Sequence, residues 1–581
     1  MIDKKASYVQ SLCMGEIEED LILPYPKMAK AEQETLGQVL GSLDSMLAAH
    51  EKDFRQWDVK GEMPAPFVDE LRQFGLFGLV IPEEYGGMGL GSMAYSRTLQ
   101  QISRHDASVA VTVGAHSSIG MRGLLLFGTD DQKRRYMPKL ATGEMIAGFC
   151  LTEPGSGSDA ASIKTTAVKQ GDAWLLNGEK LWITNGGIAD FFTVFARTDG
   201  AGKGQLTAFL VTRDMKGVSS GPHEDKMGIR ASNTTTVILD NVRVPDANVL
   251  GEVGKGFKTA MKILNNGRTG LGGGCVGGMK TLIAMATRQA KERVQFGRPI
   301  AEFALIKAKV GQMVIDCYAS ESVVNMVAGI IDQGFEEYAV EAAISKVLAS
   351  ECMWRSVDEA LQIAGGNGFM RDLKYERVMR DTRINRIFEG TNDILRLFIS
   401  LTGMHAVSSE LKELTGSLKG IFNDPIKGFG VLSEYALRRA RLTANVRREK
   451  SKFELLHPAL RDEALIVEDG TRELAMAAER TLRRYGKRII GQQCIPRRLA
   501  DVLIDLYTLS CVMARVHSEI VERGAEKAAR QIQIAHALGR QVQRRVRDNF
   551  TQLDDNEDDL LKALADDAFE AEKFRWDNLE G

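Results

Sequence analysis

The stretch at residues 173–200, AWLLNGEKLWITNGGIADFFTVFARTDG, decides the fold of this chain. Its β-branched and aromatic runs are interrupted by Asn-Gly, Gly-Gly and Asp-Gly pairs, a pattern that predicts short strands joined by tight turns. Similar runs follow at residues 206–214 and 233–244. Because no helical spacing separates these runs, we expect a small antiparallel barrel or sandwich rather than a parallel sheet.

Helical spacing dominates on both sides of this segment. The predicted fold class is therefore α+β and multidomain, with an N-terminal helical domain at 1–149 and an antiparallel β-barrel at 150–250. A helical bundle, expected to contain four helices, follows at 251–404. An additional C-terminal helical domain is predicted at 405–581. The α segments on the two sides of the barrel are expected to pack into one bundle.

Composition excludes several classes of protein. Among 581 residues, 75 are Lys or Arg and 77 are Asp or Glu, giving a net charge of −2 that argues against a general nucleic-acid binder. We find no uncharged apolar run of about 18 residues and no signal or transit pattern, so a cytoplasmic protein is expected. The seven cysteines contain no C-x-x-C pair and the eight histidines no H-x-x-x-H pair, so neither a disulfide framework nor a metal site is predicted.

A glycine-rich loop lies where helix gives way to strand, FCLTEPGSGSDAASIK at residues 149–164. Its glycines Gly155 and Gly157, together with nearby hydroxyl side chains, offer a backbone rich in donors that can wrap a planar polar ring or a phosphate. The alternative is an ordinary helix-capping turn, which the spacing alone favours slightly.

The segment EKLWITNGG at residues 179–187 is the second candidate. A regular strand would place Trp182 and Thr184 on one face, where an aromatic ring beside a hydroxyl can cover a flavin or a nucleotide. A tryptophan in the core of the barrel is the more common interpretation of the same pattern.

The third candidate is Glu389, within QIAGGNGFMRDLKYERVMRDTRINRIFEGTNDILRLF at residues 362–398. An apolar pair precedes this carboxylate, so we expect it to be desolvated, with a raised pKa that suits a general base near neutral pH. The alternative is a helix start in which Thr391 and Asp393 cap the segment that follows. Both interpretations can hold together.

One apparent nucleotide motif is rejected. The sequence GGGCVG at residues 272–277 matches G-x-G-x-x-G, but it follows a helical segment and has no βαβ context. These glycines are interpreted as close packing or clearance for a ligand.

The motifs LTEPGSGSD, LWITNGG and IFEGTNDILR, in this order, resemble the acyl-CoA dehydrogenase family. PEEYGGMG, ERVQFGRPI, QIAGGNGF and MRDTRI support the resemblance, which covers residues 45–404. The start of the chain and its C-terminal block resemble the longer subgroup, the very-long-chain acyl-CoA dehydrogenases and their relative that also serves in respiratory complex I assembly.

This resemblance implies the acyl-CoA dehydrogenase fold, non-covalent FAD and a homodimer that shares the FAD sites. The implied cofactor-binding residues are Phe149, Leu151, Thr152, Gly157, Ser158, Trp182, Ile183, Thr184, Arg293, Phe296, Gln362, Gly365, Gly366, Thr391, Asn392 and Asp393. The implied substrate-binding residues are Ser158, Asn265, Arg268 and Gly390. Glu389 matches the catalytic base of the family.

The implied reaction is α,β-dehydrogenation of a fatty acyl-CoA to the trans-2-enoyl-CoA, the first step of fatty acid β-oxidation. Glu389 would remove the α-proton while the β-hydrogen leaves as hydride to flavin N5. The resemblance also implies electron-transfer flavoprotein as electron acceptor. Small residues at Gly114 and Ala115 leave room for a deep cavity, which favours long or very long acyl chains.

The C-terminal block contains a basic amphipathic segment. Its basic residues are Arg438, Arg439, Arg441, Arg447, Arg448 and Lys450, and they alternate with Leu437, Leu442 and Val446. Such a segment can lie on an anionic membrane surface, although a solvated face or a dimer contact is more common.

Two other functions stay open at this point: a catalytically weak scaffold or assembly factor of the same fold, and an acyl-CoA oxidase.

Overall fold

The computed structural model describes residues 4–198, 205–420 and 452–579. The chain forms two compact units. The first contains residues 1–6 and 22–395, and the second contains residues 7–21 and 396–581. The short N-terminal segment of the second unit therefore comes from the opposite end of the chain to the rest of that unit.

Helices account for most of the described chain. In chain order they are α1 Tyr8–Met14, α2 Lys30–Ala49, α3 Glu51–Lys60, α4 Ala65–Gln73, α5 Ser92–His105, α6 Ala107–Gly114, α7 Arg122–Phe127, α8 Asp130–Thr142, α9 Gly256–Glu292, α10 Ala304–Asp332, α11 Ala339–Ala364, α12 Gly366–Phe369, α13 Tyr375–Thr382, α14 Asn392–Gly403, α15 His405–Gly420, α16 Arg461–Tyr485, α17 Cys494–Arg523, α18 Ala529–Thr551 and α19 Asp558–Ala571. A π-helical segment, Ala115–Gly120, joins α6 to α7.

The strands lie between α8 and α10. They are β1 Ala147–Cys150, β2 Thr166–Gln170, β3 Ala173–Thr184, β4 Phe191–Thr198, β5 Leu206–Thr212, β6 Val218–His223, β7 Thr234–Pro245, β8 Val249–Leu250, β9 Val294–Gln295 and β10 Arg298–Pro299. The main sheet has the order β6-β7-β3-β2-β4-β5-β8, with β1 beside β4, and β9 and β10 form a separate hairpin. The predicted α+β fold with an antiparallel β domain is confirmed, although β1 and β2 each pair with β4 in parallel.

Strands β4 and β5 are buried on both faces. In β4, Phe191 and Phe195 pack into the core formed with the N-terminal helices, whereas Phe192 and Val194 face the interior of the β domain. This division follows from the two-residue period of a strand. The β domain is thereby attached to the helices of the first unit through one face of β4 and β5.

A glycine run lets α9 approach its neighbours closely. A Cβ on Gly273 would lie 2.6 Å from Ser96 Oγ, and one on Gly277 would lie 2.1 Å from the Gln100 carbonyl oxygen, both in α5. On another side of α9, a Cβ on Gly272 would lie 2.9 Å from Ser345 Oγ in α11. Helices α9, α10 and α11 also pack on one another, so α5 joins them in one bundle. The interpretation of the GGGCVG motif as close packing is confirmed.

Local residues specify the ends of two helices in the N-terminal part of the chain. Asp106 begins α6 by accepting hydrogen bonds from the amides of Ser108 and Val109. Thr129 and Gln132 form a capping box at the start of α8, and Gly143 ends that helix in the left-handed conformation.

The second unit is helical. Helices α16, α17 and α18 pack on one another, and α1 packs against them. Their core includes Leu474, Leu503, Tyr507 and Val542. The basic segment around residues 437–450 lies outside the described residues.

Two helical stretches are long and apolar enough to cross a membrane by length and composition, Ala107–Phe127 and Ala304–Asp332. In the most apolar 18-residue window of each stretch, 61% and 67% of the residues, respectively, are buried within the protein. This burial is typical of core helices in a bundle.

Candidate active site

Glu389 lies in a short connection between α13 and α14 whose backbone is unusual. Glu389 has φ of 55° and Gly390 has φ of 93°, so two successive residues adopt the left-handed region. For a residue with a side chain this conformation costs about 1–2 kcal/mol and is found where the surroundings enforce it. Thr391 Oγ1 then accepts from the Ile394 amide at 3.3 Å and caps α14, so the helix-start interpretation of this segment is confirmed.

The Glu389 carboxyl group is buried, and its Oε2 has no hydrogen-bond partner among the described residues. Burial raises the pKa of Glu389 to about 7, against the opposing effect of the cations Arg268 and Lys346. The desolvation and raised pKa expected from the apolar residues before Glu389 are therefore present, while its role as a base stays a prediction. A carboxyl group with this pKa can accept a proton at neutral pH.

The predicted substrate residues Asn265 and Arg268 lie beside Glu389 on α9. Arg268 Nε lies 3.4 Å from the Glu389 carbonyl oxygen, and its Nη1 donates to Asn265 Oδ1 at 2.8 Å. Between them, Gly267 faces the carboxyl group, since a Cβ there would lie 3.0 Å from Glu389 Oε2. The structure thus brings Asn265, Arg268, Glu389 and Gly390 together.

A buried lysine that the sequence analysis did not single out joins this group. Lys346 on α11 donates from Nζ to the Gly390 carbonyl at 2.9 Å and to Asn392 Oδ1 at 2.8 Å. Asn392, predicted as a cofactor residue, is itself buried and donates to Ser350 Oγ at 3.0 Å. A lysine within the small-residue run AAISKVLAS was the available signal.

The predicted flavin loop is anchored by Glu153. Its Oε1 accepts from Lys180 Nζ at 2.6 Å and from Thr165 Oγ1 at 2.5 Å, and its Oε2 accepts from the Lys164 amide. The Thr152 carbonyl accepts from the Leu181 amide at 2.9 Å. Leu151 is buried and Ser158 is exposed, so the loop is fixed at its base and open at its tip, which includes Gly157.

Trp182 lies at a bulge in β3. The register against β7 shifts between Lys180 and Ile183, Trp182 has φ of 56°, and its side chain is 62% exposed. The interpretation as a core tryptophan is therefore wrong, because the bulge turns the indole outward while Ile183 remains buried.

The other predicted cofactor residues lie on the surface. Arg293 directly follows α9, Phe296 is 93% exposed with φ of 53°, and Gln362, Gly365 and Gly366 lie at the end of α11. No hydrogen bond or ion pair joins these residues to the barrel loop within the part of the chain that the structure describes. Phe149, by contrast, packs its ring 5.1 Å from that of Phe195 within the β domain.

These features fit FAD and an acyl thioester. The outward indole of Trp182 offers a planar apolar surface, and the exposed tip of the loop at Gly157 and Ser158 offers hydrogen-bonding groups. The orphaned Oε2 of Glu389 is a buried polar atom that awaits a partner.

Family models match in four successive parts of the chain. They are described as acyl-CoA dehydrogenase, N-terminal domain (residues 34–144), middle domain (148–242) and C-terminal domain (254–402), and as ACAD9/ACADV, C-terminal domain (458–574).

Curated relatives match over most of their length. The chain is 44% identical over 524 residues to the very long-chain specific acyl-CoA dehydrogenase, mitochondrial, of Homo sapiens, covering 89% of this chain and 79% of the relative. It is 38% identical over 480 residues to a probable acyl-CoA dehydrogenase of Bacillus subtilis, covering 79% of this chain and 76% of the relative.

Solved structures show the same fold. The acyl-CoA dehydrogenase of Bacillus anthracis complexed with FAD is 32% identical, with a TM-score of 0.80, covering 96% of this chain and 94% of that chain. A structure described as the electron transferring flavoprotein of Acidaminococcus fermentans matches at 34% identity and a TM-score of 0.60, over 64% of this chain and 98% of that chain. The chain therefore belongs to the acyl-CoA dehydrogenase family, and it is an FAD-dependent oxidoreductase of fatty acid oxidation.

Proposed function

We propose that this enzyme converts long- or very-long-chain fatty acyl-CoA to trans-2-enoyl-CoA, with Glu389 as the general base that removes the α-proton. The observation that carries the proposal is the Glu389 carboxyl group, which is buried beside two cations and has an unpartnered Oε2. Removing water from a carboxylate strengthens it as a base, because the charged form loses its solvation.

The backbone of the same residue can stabilise the charge that develops on the thioester oxygen. The Glu389 amide has no acceptor among the described residues, so its hydrogen is available to a substrate carbonyl. A donor aimed at a developing oxyanion typically contributes about 10²–10³-fold in rate. One residue would thus supply both the base and a donor.

The residues that would hold FAD are those named from the resemblance, on the barrel loop, on β3, after α9, at the end of α11 and at the start of α14. When bound there, FAD would supply the hydride acceptor for the β-hydrogen. The Glu153–Lys180 pair fixes the base of the loop, and the bulge at Trp182 presents the indole to the cofactor. Asn265 and Arg268 contact the acyl-CoA beside the reacting carbons, together with Ser158 from the barrel loop.

The small residues at the end of α6 support the preference for long or very long acyl chains. A Cβ on Gly114 would meet no atom within 4 Å, so open space lies beside this position. The similarity to the very long-chain specific acyl-CoA dehydrogenase of Homo sapiens supports the same preference. Turnover measured from C4 to C20 should peak at C14 or longer, and a maximum at C4–C8 would refute the preference.

The proposal includes a homodimer and electron-transfer flavoprotein as acceptor. The exposed Phe296 and Arg293 support a second copy that completes each FAD site, as in the family.

The basic segment at residues 437–450 supports peripheral membrane contact. Co-sedimentation with anionic liposomes, with and without residues 431–453, tests this contact, and equal pelleting would remove it.

Anaerobic titration with palmitoyl-CoA tests the function. We expect the flavin to bleach in the wild-type enzyme and in the surface control Glu144→Gln, and to reoxidise slowly in air. Glu389→Gln should keep FAD and bind substrate, but bleach at least 10³-fold more slowly. Bleaching of this variant at a near-normal rate would show that Glu389 is not the base.

Two other outcomes would replace the proposal. If neither the wild type nor the control bleaches, the chain is a scaffold of the same fold. If reoxidation is rapid and yields stoichiometric hydrogen peroxide, the enzyme is an acyl-CoA oxidase.

A further inference from the structure

Lys346 is a buried cation without a contacting anion. Its side chain is 0% exposed on α11, and no ion pair within 4 Å joins its Nζ to a carboxylate among the described residues. Burying an ammonium group costs several kcal/mol unless other groups compensate. The hydrogen bonds to the Gly390 carbonyl and Asn392 Oδ1 satisfy two of its three donors.

Both acceptors of Lys346 belong to the residues that follow Glu389. Gly390 is the next residue and Asn392 is the third, so Lys346 holds the backbone directly after Glu389, next to the left-handed residues Glu389 and Gly390. The amide of Asn392 is oriented by its neighbours, since Nδ2 donates to Ser350 Oγ at 3.0 Å and to Glu351 Oε1 at 2.9 Å. Its oxygen is thereby directed to the ammonium group.

The charge of Lys346 also acts on Glu389. The titratable groups that face Glu389 are Arg268 and Cys275 on α9, Lys346 on α11 and Tyr95 on α5. Burial raises the pKa of both Cys275 and Tyr95, so these two groups are neutral near pH 7. Burial lowers the pKa of Lys346 to about 8, which leaves its charge in place at neutral pH.

We propose that Lys346 is a positioning residue for the catalytic base: it clamps the turn after Glu389 through Gly390 and Asn392, and its charge keeps the carboxylate ionised. This inference rests on the proposed role of Glu389 as the base. Lys346 on α11 would then hold the base in place and set the pH range in which the base works.

The test compares Lys346→Met with Arg355→Met, both prepared as FAD-loaded enzyme. Arg355 lies on the same helix and pairs with Asp316 at 3.1 Å, so its replacement removes a cation from α11 without touching the turn. Flavin reduction by palmitoyl-CoA is followed by anaerobic stopped flow from pH 5.5 to 9. A 3-thia acyl-CoA, which can lose its α-proton but has no β-hydrogen to transfer, reports proton removal alone.

For Lys346→Met we expect the acid limb of the curve of reduction rate against pH to shift to higher pH by about one unit or more. The reason is that a nearby opposite charge shifts a carboxyl pKa by about 1–3 units. The reduction rate at pH 7 should fall at least about tenfold, and ionisation of the 3-thia ligand should fall in parallel. Arg355→Met should keep the wild-type limb. Lys346→Arg, which retains the charge, should keep the limb while losing rate.

The results also separate this inference from the proposed function. Suppose that Glu389→Gln abolishes flavin reduction, while Lys346→Met keeps the wild-type acid limb and a reduction rate within threefold of the wild type. Glu389 is then the base, and the positioning role of Lys346 is wrong. If Glu389→Gln keeps its rate, the base assignment fails first. If Lys346→Met does not accumulate as folded holoenzyme, the test uses Asn392→Ala instead. A lower rate of flavin reduction with an unchanged acid limb supports the positioning role of Lys346, and an unchanged rate overturns it.

Discussion

Lys180 Nζ lies 2.6 Å from Glu153 Oε1, and both side chains are buried, at 0% and 6% exposure. The pair joins β3 to the base of the loop that leads to Gly157. Two further donors, the Thr165 amide and its hydroxyl, bind the same oxygen of Glu153. The loop is therefore attached to the barrel by an ion pair that water does not reach.

Lys180→Met should destabilise the protein by about 3–5 kcal/mol, because it leaves the Glu153 carboxylate buried without its cation. FAD content after purification should fall as well, since the loop loses its anchor. Thermal unfolding and flavin absorbance measure the two effects. The double variant Lys180→Met/Glu153→Gln should recover part of the loss, and the surface control Lys139→Met should change stability by no more than about 0.5 kcal/mol. A single variant as stable as the control would contradict this prediction.

Gly267→Ala should displace the base. The added methyl group would lie 3.0 Å from Glu389 Oε2 and 2.8 Å from Ile119 Cγ2, so the carboxyl group must move. A displacement of about 1 Å can lower the rate about 100-fold. Flavin reduction by palmitoyl-CoA measures the effect at constant FAD content. Gly41→Ala in α2 is the control, since a Cβ there meets nothing within 4 Å, and a Gly267→Ala enzyme as active as this control would refute the geometry.

Activity should be lost at acid pH. Glu389 must be ionised to accept a proton, so kcat/KM should fall as the pH falls through its pKa of about 7. Because kcat/KM reports the free enzyme, the midpoint of this acid limb should lie near that value. Loss of the charge on Lys346 as the pH rises through its pKa of about 8 adds no second limb through the carboxylate, which is already ionised there. A flat profile between pH 6 and 9 would contradict the assignment of Glu389 as the base.

Asp381 should make the folded protein less stable at alkaline pH. Burial raises the pKa of this carboxyl group to about 7, with Asp106 and Asp58 adding to the effect and Arg377 opposing it. Since the folded-state pKa lies above the unfolded one, its contribution to stability is lost as the pH rises towards and through 7. Asp381→Asn can still accept from the Ile229 amide. The Tm of the variant minus that of the wild type should therefore increase between pH 6 and pH 8, and a constant or decreasing difference would contradict this.

Much of the fold follows from local patterns. The runs of β-branched and aromatic residues that predict strands coincide with β3, β4, β5 and β7. Such residues are enriched in strands because their side chains pack well on a pleated, partly buried surface. The parallel pairing of β1 and β2 with β4 could not be predicted, because it depends on which strands meet in space. The outward turn of Trp182 was missed for a related reason, since a bulge is defined by the partner strand.

The site was predictable in part. The desolvation of Glu389 follows from its apolar neighbours and the glycine after it, which are adjacent in the chain. Lys346 precedes Glu389 by 43 residues and is brought to it only by the packing of α11. A single lysine in a helix normally faces solvent, and the small residues around Lys346 in AAISKVLAS indicate close packing without showing which group the lysine meets.

Helix α9 runs without interruption from Gly256 to Glu292, about 55 Å at 1.5 Å per residue. Asn265 and Arg268 lie near its beginning, and Arg293 follows its last turn. The helix therefore fixes the distance between the proposed substrate contacts, Asn265 and Arg268, and the proposed cofactor contact, Arg293. One residue inserted into its glycine run would rotate one end by about 100° relative to the other, so evolution can vary the side chains of this helix far more easily than its length.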